Sequence, residues 1–416
     1  MDGQDQPARR DQPAPGFQAG RADQAARGEH AADLARRAAD WLVSGAGSDP
    51  GDPSLYHGLA GIVLALHEAD QHFGDDRYGA AAARGADALS ALVDEIADCS
   101  LYFGLTGVAV ALRALGRPAD ADRALGLVRA RFDGQHWNDM FELLMGNAGI
   151  GLGALAAGDL DLAVMAVEPY LRTADRTAHG VNWAVRPSPP RSHHVAHGTL
   201  GIVLALAAVG SAAGRADLIE MALAGAADVV GRNEAGPDGF LVRHSDPPHR
   251  PDLIEPYSYG WCNGPAGDAQ VFRLLGRVTG DRAWTDLADR CWRTVRESGL
   301  PRRIRPGFWD NNGRCCGTAG VLALACDRIA ERGDDFGFAN VLVEDLAARA
   351  IVDDADARWS NYEHRAAPPD LEPRAGWAMG NAGIARELLR YARLSAGGAG
   401  GYAVPWPDHP ADPYQG

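Results

Sequence analysis

The pattern G-x-x-G occurs seven times at long, similar intervals, and this repetition limits the available folds more than any other feature of the chain. The pairs are Gly58/Gly61, Gly104/Gly107, Gly146/Gly149, Gly198/Gly201, Gly264/Gly267, Gly317/Gly320 and Gly380/Gly383. Their first glycines stand 42 to 66 residues apart. A motif at such a period marks an array of one supersecondary unit with insertions between copies. Each pair opens an apolar run, such as Ile202-Val203-Leu204-Ala205-Leu206. These runs are apolar almost all round, so both faces should be buried. Between them lie segments near 77–97, 117–132, 159–173, 214–232, 281–297 and 334–350, preceded by one over 31–43. They carry charge on one face, so one side should meet water. Strand signals are weak throughout. The pattern predicts an all-α fold, an α/α toroid with a double ring of seven inner and seven outer helices. Glycine suits the inner ring because a residue without Cβ lets crowded backbones approach. The first glycine of each pair is expected in a turn, the second in the first helical turn.

Composition sets the boundaries. Residues 1–28 hold almost no large apolar side chains and are expected to be disordered. Residues 29–396 form the toroid, and 397–416 are a Gly- and Pro-rich tail expected to lie on the surface. The longer connections 173–192, 232–258 and 359–376 are expected to act as lids or binding loops. No apolar run reaches the ~18 residues of a membrane span, and no signal core opens the chain. The expectation is therefore a cytoplasmic protein that is not integral to a membrane. The net charge of -15 argues against a nucleic-acid partner. The chain has no lysine, which excludes Schiff-base chemistry and a Walker-type phosphate loop.

The residues just ahead of the glycines carry the chemistry. Glu142 lies four before Gly146, and His197 one before Gly198. Cys262 lies two before Gly264, and Cys315 and Cys316 two and one before Gly317. If all inner helices run the same way, these residues share one rim. Three cysteines converging there suggest Zn²⁺, which takes thiolate ligands tetrahedrally and can keep a fourth position open. His57 holds the matching place in the first repeat, and His193 and His194 lie close to His197 in sequence. A carboxylate such as Glu142 can orient a histidine or accept a proton. Cys99, Cys291 and Cys326 read as small buried hydrophobes.

With these residues in view, the chain resembles the lanthionine synthetase C family over about residues 30–395. The carriers are the seven glycine pairs, Ala196-His197-Gly198, Trp261-Cys262-Asn263-Gly264 and Cys315-Cys316-Gly317. The resemblance implies a stand-alone, zinc-dependent lanthipeptide cyclase. Such an enzyme adds cysteine thiols to dehydroalanine or dehydrobutyrine and forms thioether rings. It implies zinc on Cys262, Cys315 and Cys316, His197 as acid/base, and Glu142 where the family often has aspartate. The implied partners are a dehydrated precursor peptide, with a dehydratase or other modification enzymes beside it. Three departures stand out. Cys316 falls where histidine is common, Asn263 where tyrosine is, and Ser258 where many members have an arginine. Other readings are addition of glutathione or another small thiol, and a non-catalytic peptide-binding scaffold. The (α/α)₆ sugar hydrolases are a rival at the level of fold, but they need two carboxylates across a cleft, and no matched pair flanks the repeats.

Overall fold

Each glycine pair opens a helix in the computed structural model, which describes residues 15–45, 51–302, 311–361, 372–404, 406, 407 and 409. In chain order the helices are α1 (Pro15–Val43), α2 (Leu59–Phe73), α3 (Asp76–Leu92), α4 (Leu105–Ala114), α5 (Pro118–Ala130), α6 (Asn147–Ala156), α7 (Leu160–Val167), α8 (Tyr170–Thr173), α9 (Thr199–Ala213), α10 (Ala216–Val230), α11 (Pro265–Thr279), α12 (Arg282–Glu297), α13 (Thr318–Arg332), α14 (Gly337–Arg349) and α15 (Asn381–Ser395). The inner ring is α2, α4, α6, α9, α11, α13 and α15. Each packs against the next, and α15 returns to α2. The outer ring is α3, α5, the pair α7–α8, α10, α12, α14 and α1. Helix α1 comes first in sequence but packs on α15. The result is an α/α toroid closed by its first and last elements.

Burial follows the two sequence patterns. In α9 every residue from Thr199 to Gly210 is buried. In α12 the buried set is Leu287, Ala288, Cys291, Trp292 and Val295, one stripe of an amphipathic helix. Aspartate caps several outer helices. Asp75, Asp159 and Asp281 accept from backbone N–H groups of the first turns of α3, α7 and α12. Inner helices α2, α9, α11 and α13 stop at glycines in the left-handed region, Gly74, Gly214, Gly280 and Gly333. Six two-residue strands form three antiparallel ladders: β1 (Asp175–Arg176) with β2 (Val181–Asn182), β3 (Arg191–Ser192) with β4 (Ser245–Asp246), and β5 (Ile351–Val352) with β6 (Ala357–Arg358). The β3–β4 ladder joins two of the long connections. Residues 362–371 of the third lie outside the described residues.

Three expectations change. The first glycine of each pair is an extended N-cap, not a turn residue; Gly58, for example, has φ -106° and ψ -159°. The glycine is required by crowding. A Cβ on Gly267 would collide with the Trp261 carbonyl, and the second glycine of every other pair meets the carbonyl six residues upstream in the same way. Residues 15–28, expected to be disordered, are the first half of α1. Their Ala, Arg and Gln content favours helix, and α15 gives them a partner: Gln24 donates to Tyr391 Oη and Ser395 Oγ at 2.9 and 2.8 Å. Residues 1–14 lie outside the described residues. The tail does not lie only on the surface. Trp406 and His409 are 4% and 3% exposed, because the ring interior there holds charged groups that need partners. Asp327 accepts from Gln270, Arg273 and Arg390, and His409 Nε2 sits 2.9 Å from it. Tyr402 donates to Glu387, and Trp406 packs against Trp377 with ring centroids 4.7 Å apart.

Candidate metal centre

The residues two before each first glycine are Tyr56, Tyr102, Leu144, Ala196, Cys262, Cys315 and Ala378, and their backbones are hydrogen-bonded from repeat to repeat. Tyr102 N–H donates to Leu144, Tyr56 to Tyr102, Ala378 to Tyr56, Cys315 to Ala378, Cys262 to Cys315 and Ala196 to Cys262, over 2.8–3.2 Å. All the inner helices therefore start at one rim. The girdle is broken between Leu144 and Ala196. There Leu144 N–H donates to Glu142 Oε2 at 2.8 Å, while Met145 N–H donates to Oε1 at 2.9 Å. A side-chain carboxylate thus stands where a backbone carbonyl would have closed the girdle.

The girdle puts Cys262 and Cys315 side by side and brings Cys316 to them. Sγ of Cys316 is 3.2 Å from that of Cys262 and 3.4 Å from that of Cys315. All three sulfurs lie within 4.8 Å of one another, and all three residues are buried. None is in a disulfide. Zn–S bonds of about 2.3 Å in a tetrahedron put sulfurs roughly 3.8 Å apart, so the donor set fits zinc in kind and in spacing. Tyr56 Oη donates to Cys315 Sγ at 3.2 Å and Asn263 Nδ2 to Cys262 Sγ at 3.5 Å. Burial pushes the Cys262 and Cys316 thiols well up. At Cys315 burial acts the same way, but hydrogen bonds from Cys262, Cys316 and Tyr56 outweigh it and hold this thiol well below its usual value. Burial and the adjoining cysteines push the Tyr56 phenol well up, so it stays a donor.

His197 sits at the break. Its side chain is 31% exposed, its Nδ1 is 3.4 Å from Glu142 Oε2, and Glu142 is fully buried. This spacing is an ion-pair contact without a formed hydrogen bond. His197 also lies within electrostatic reach of Cys315, so the pair and the thiols face one region. The other histidines differ. His194 spends Nδ1 on Asp268 at 2.8 Å and Nε2 on the Val242 carbonyl at 3.2 Å, a buried structural role. His193 is buried, and burial pushes its pKa down to about 3. His57 packs edge-on against Tyr56. Cys99, Cys291 and Cys326 are buried outside the cluster. Sequence reasoning missed Tyr56, although it occupies the same register as Cys262 and Cys315.

No curated protein sequence matches the chain. Among solved structures, the chain is similar to nisin cyclase at 16% identity and a TM-score of 0.64, covering 97% of this chain and 100% of that one. It is also similar to the GH76A α-1,6-mannanase from Salegentibacter sp. HEL1_6 at 10% identity and a TM-score of 0.52, over 88% and 99% of the two chains. Both likenesses concern the toroid alone. The sequence pattern described as "Lanthionine synthetase C-like protein" matches residues 49–247 and 249–343. That match spans most of the sequence and takes in the cysteine cluster, His197 and Glu142: the chain belongs to the lanthionine synthetase C-like family.

Proposed function

We propose that the protein is a zinc-dependent lanthipeptide cyclase, closing thioether rings in a dehydrated precursor peptide. The observation that carries the reading is the meeting of three buried thiols with the His197–Glu142 pair at one rim. Cys262, Cys315 and Cys316 would hold the metal and leave a fourth position for the substrate. Bound there, zinc would supply the Lewis acidity that favours loss of a substrate thiol's proton to solvent, leaving sulfur as the nucleophile. Sulfur then bonds to Cβ of the dehydro residue, the alkene pair moves to give an enolate, and a proton added at Cα restores the carbonyl. His197, part exposed, delivers that proton. Glu142, fixed by two backbone N–H donors, presents its carboxyl group beside Nδ1 and orients the ring. Tyr56 and Asn263 hold Cys315 and Cys262 by hydrogen bonds to sulfur, which fixes the ligand geometry.

The mannanase-like fold does not favour a hydrolase reading, since that chemistry needs two carboxylates across a cleft. Glu142 already spends both oxygens on backbone donors. Among the described residues no helix is long and apolar enough to cross a membrane. Six free cysteines suit a reducing compartment, which supports a cytoplasmic site of action. The test uses the full chain and a synthetic peptide carrying one dehydroalanine and one cysteine. The parent should bind about one zinc and close the ring. A Cys262→Ala, Cys315→Ala double variant should lose the metal, and full zinc retention there rejects the ligand assignment. His197→Asn should keep zinc and close the ring ~10²–10⁴-fold more slowly. Parental speed in that variant removes His197 from the reaction. Capture of glutathione in place of ring closure would mark an intermolecular thiol-adding enzyme.

A further inference from the structure

The connection between β2 and β3 passes beside Glu142 and carries one arginine into its neighbourhood. Phe141 N–H donates to the Val185 carbonyl at 2.8 Å, which ties residue 185 to the residue before Glu142. Farther along, the β3–β4 ladder ties Arg191 and Ser192 to Asp246 and Ser245 and brings the loop of His244 and His249 alongside. Arg186 lies where these segments meet. Its Nη1 is 3.0 Å from His249 Nε2. Its Nε is buried with no hydrogen-bond partner among the described residues. It is within electrostatic reach of Glu142 and of His244, and His197 in turn reaches His244 and His249. Burial holds His244 down at about 2 and lowers His249, so both are neutral near pH 7. Arg186 is the fixed positive charge of this group.

We infer that Arg186 is a catalytic residue that binds the carbonyl oxygen of the dehydro amino acid and stabilises the enolate formed when the thiolate adds. The inference rests on the cyclase reading and adds the group that reading lacks. When the S–Cβ bond forms, the alkene pair moves toward the carbonyl, and oxygen takes the charge that the thiolate gives up. When Cα takes its proton, the pair returns to the Cα–H bond and the oxygen is released. A donor aimed at such an oxygen in a site shielded from water is worth far more than in solution. Arg186 is anchored at Nη1 by His249, and it and the proposed proton donor both act on His244 and His249. The Arg186 side chain is half-buried, and its Nη2 makes no hydrogen bond among the described residues, so a substrate carbonyl can take that N–H.

The test compares the parent with Arg186→Gln, Arg186→Lys and Arg186→Ala, all as full chains matched for zinc content, on the dehydroalanine–cysteine peptide. Arg186→Gln should lower kcat by ~10²–10³-fold, the effect of losing one oxyanion donor. KM should change much less. Arg186→Lys should retain part of the rate, and added guanidinium ion should raise the rate of Arg186→Ala. Parental kcat in Arg186→Gln overturns the inference and leaves the cyclase reading standing. Loss confined to KM, without guanidinium rescue, also overturns it, because that result describes a binding or loop-anchoring role. A parent that leaves the peptide open overturns the cyclase reading itself, and this inference with it.

Discussion

Cys316 is the residue whose chemistry sets this site apart. Its sulfur lies within 3.4 Å of both other thiols, yet the resembling family commonly carries histidine there. Cys316→His should still suit a tetrahedral metal, and it replaces a thiolate by a neutral ring, raising the charge of the site by one. A substrate thiol should then ionise at lower pH and be a weaker nucleophile, since nucleophilicity falls with thiol pKa. The pH–rate profile of ring closure should shift to lower pH with a reduced maximum, both proteins being compared at full zinc. Superimposable profiles would mean that the third thiolate does not govern reactivity. The three cysteines, His197 and Glu142 were legible in the sequence because the repeats put them in register beside helix starts. Tyr56 shares that register, but a phenol carries no metal signal, and only the coordinates bring its hydroxyl to Cys315. Arg186 lies in a loop whose course depends on pairing with residues 141 and 245–246 far along the chain.

Helix starts are governed by crowding. Gly267 has ordinary helical backbone, but a Cβ there would run into the Trp261 carbonyl, three residues before Gly264 in the turn that carries Cys262. Gly267→Ala should lower stability by about 1–3 kcal/mol as an overpacked site. Gly126 in α5 is the control: it is exposed, and a Cβ there meets nothing within 4 Å. Gly126→Ala should raise stability by ~0.4–1 kcal/mol by restricting the unfolded chain. Thermal unfolding of both variants checks the pair of signs. Equal shifts in one direction would reject crowding as the reason for the signature. The alternation of inner and outer helices and their order were legible from the period of the hydrophobic pattern; the break between α7 and α8 was not. The extent of α1 and the burial of Trp406 were not, because both depend on partners supplied by α15 and α13, not on local composition.

Across the whole molecule, a buried ionic cluster joins α11, α13, α15 and the tail. Burial raises the Asp327 carboxyl, but Arg273, Arg390 and His409 overcome that and hold it well below the usual range. A carboxyl whose folded pKa is depressed stabilises the fold fully above its unfolded pKa, about 3.9. That stability is lost as pH falls toward the folded value. Asp327→Asn should cost ~3–5 kcal/mol near neutral pH, because two buried arginines lose their partner. The gap between parent and variant should narrow below about pH 4, as read by denaturant unfolding at several pH values. A gap independent of pH would place the stabilisation elsewhere.

The closure of the ring by its first and last elements fixes an order of events in synthesis. Until α15 emerges from the ribosome, α2 lacks one of its two inner neighbours, and α1 lacks its main partner. The girdle link from Cys315 through Ala378 to Tyr56 cannot form before then. A nascent chain that has made both cysteine motifs is still an open arc. Completion of the girdle around the three sulfurs therefore waits for the last repeat. A closed ring also has no obligatory first repeat. Joining the old ends and opening the chain at an exposed outer turn would change the order of synthesis without changing the pocket.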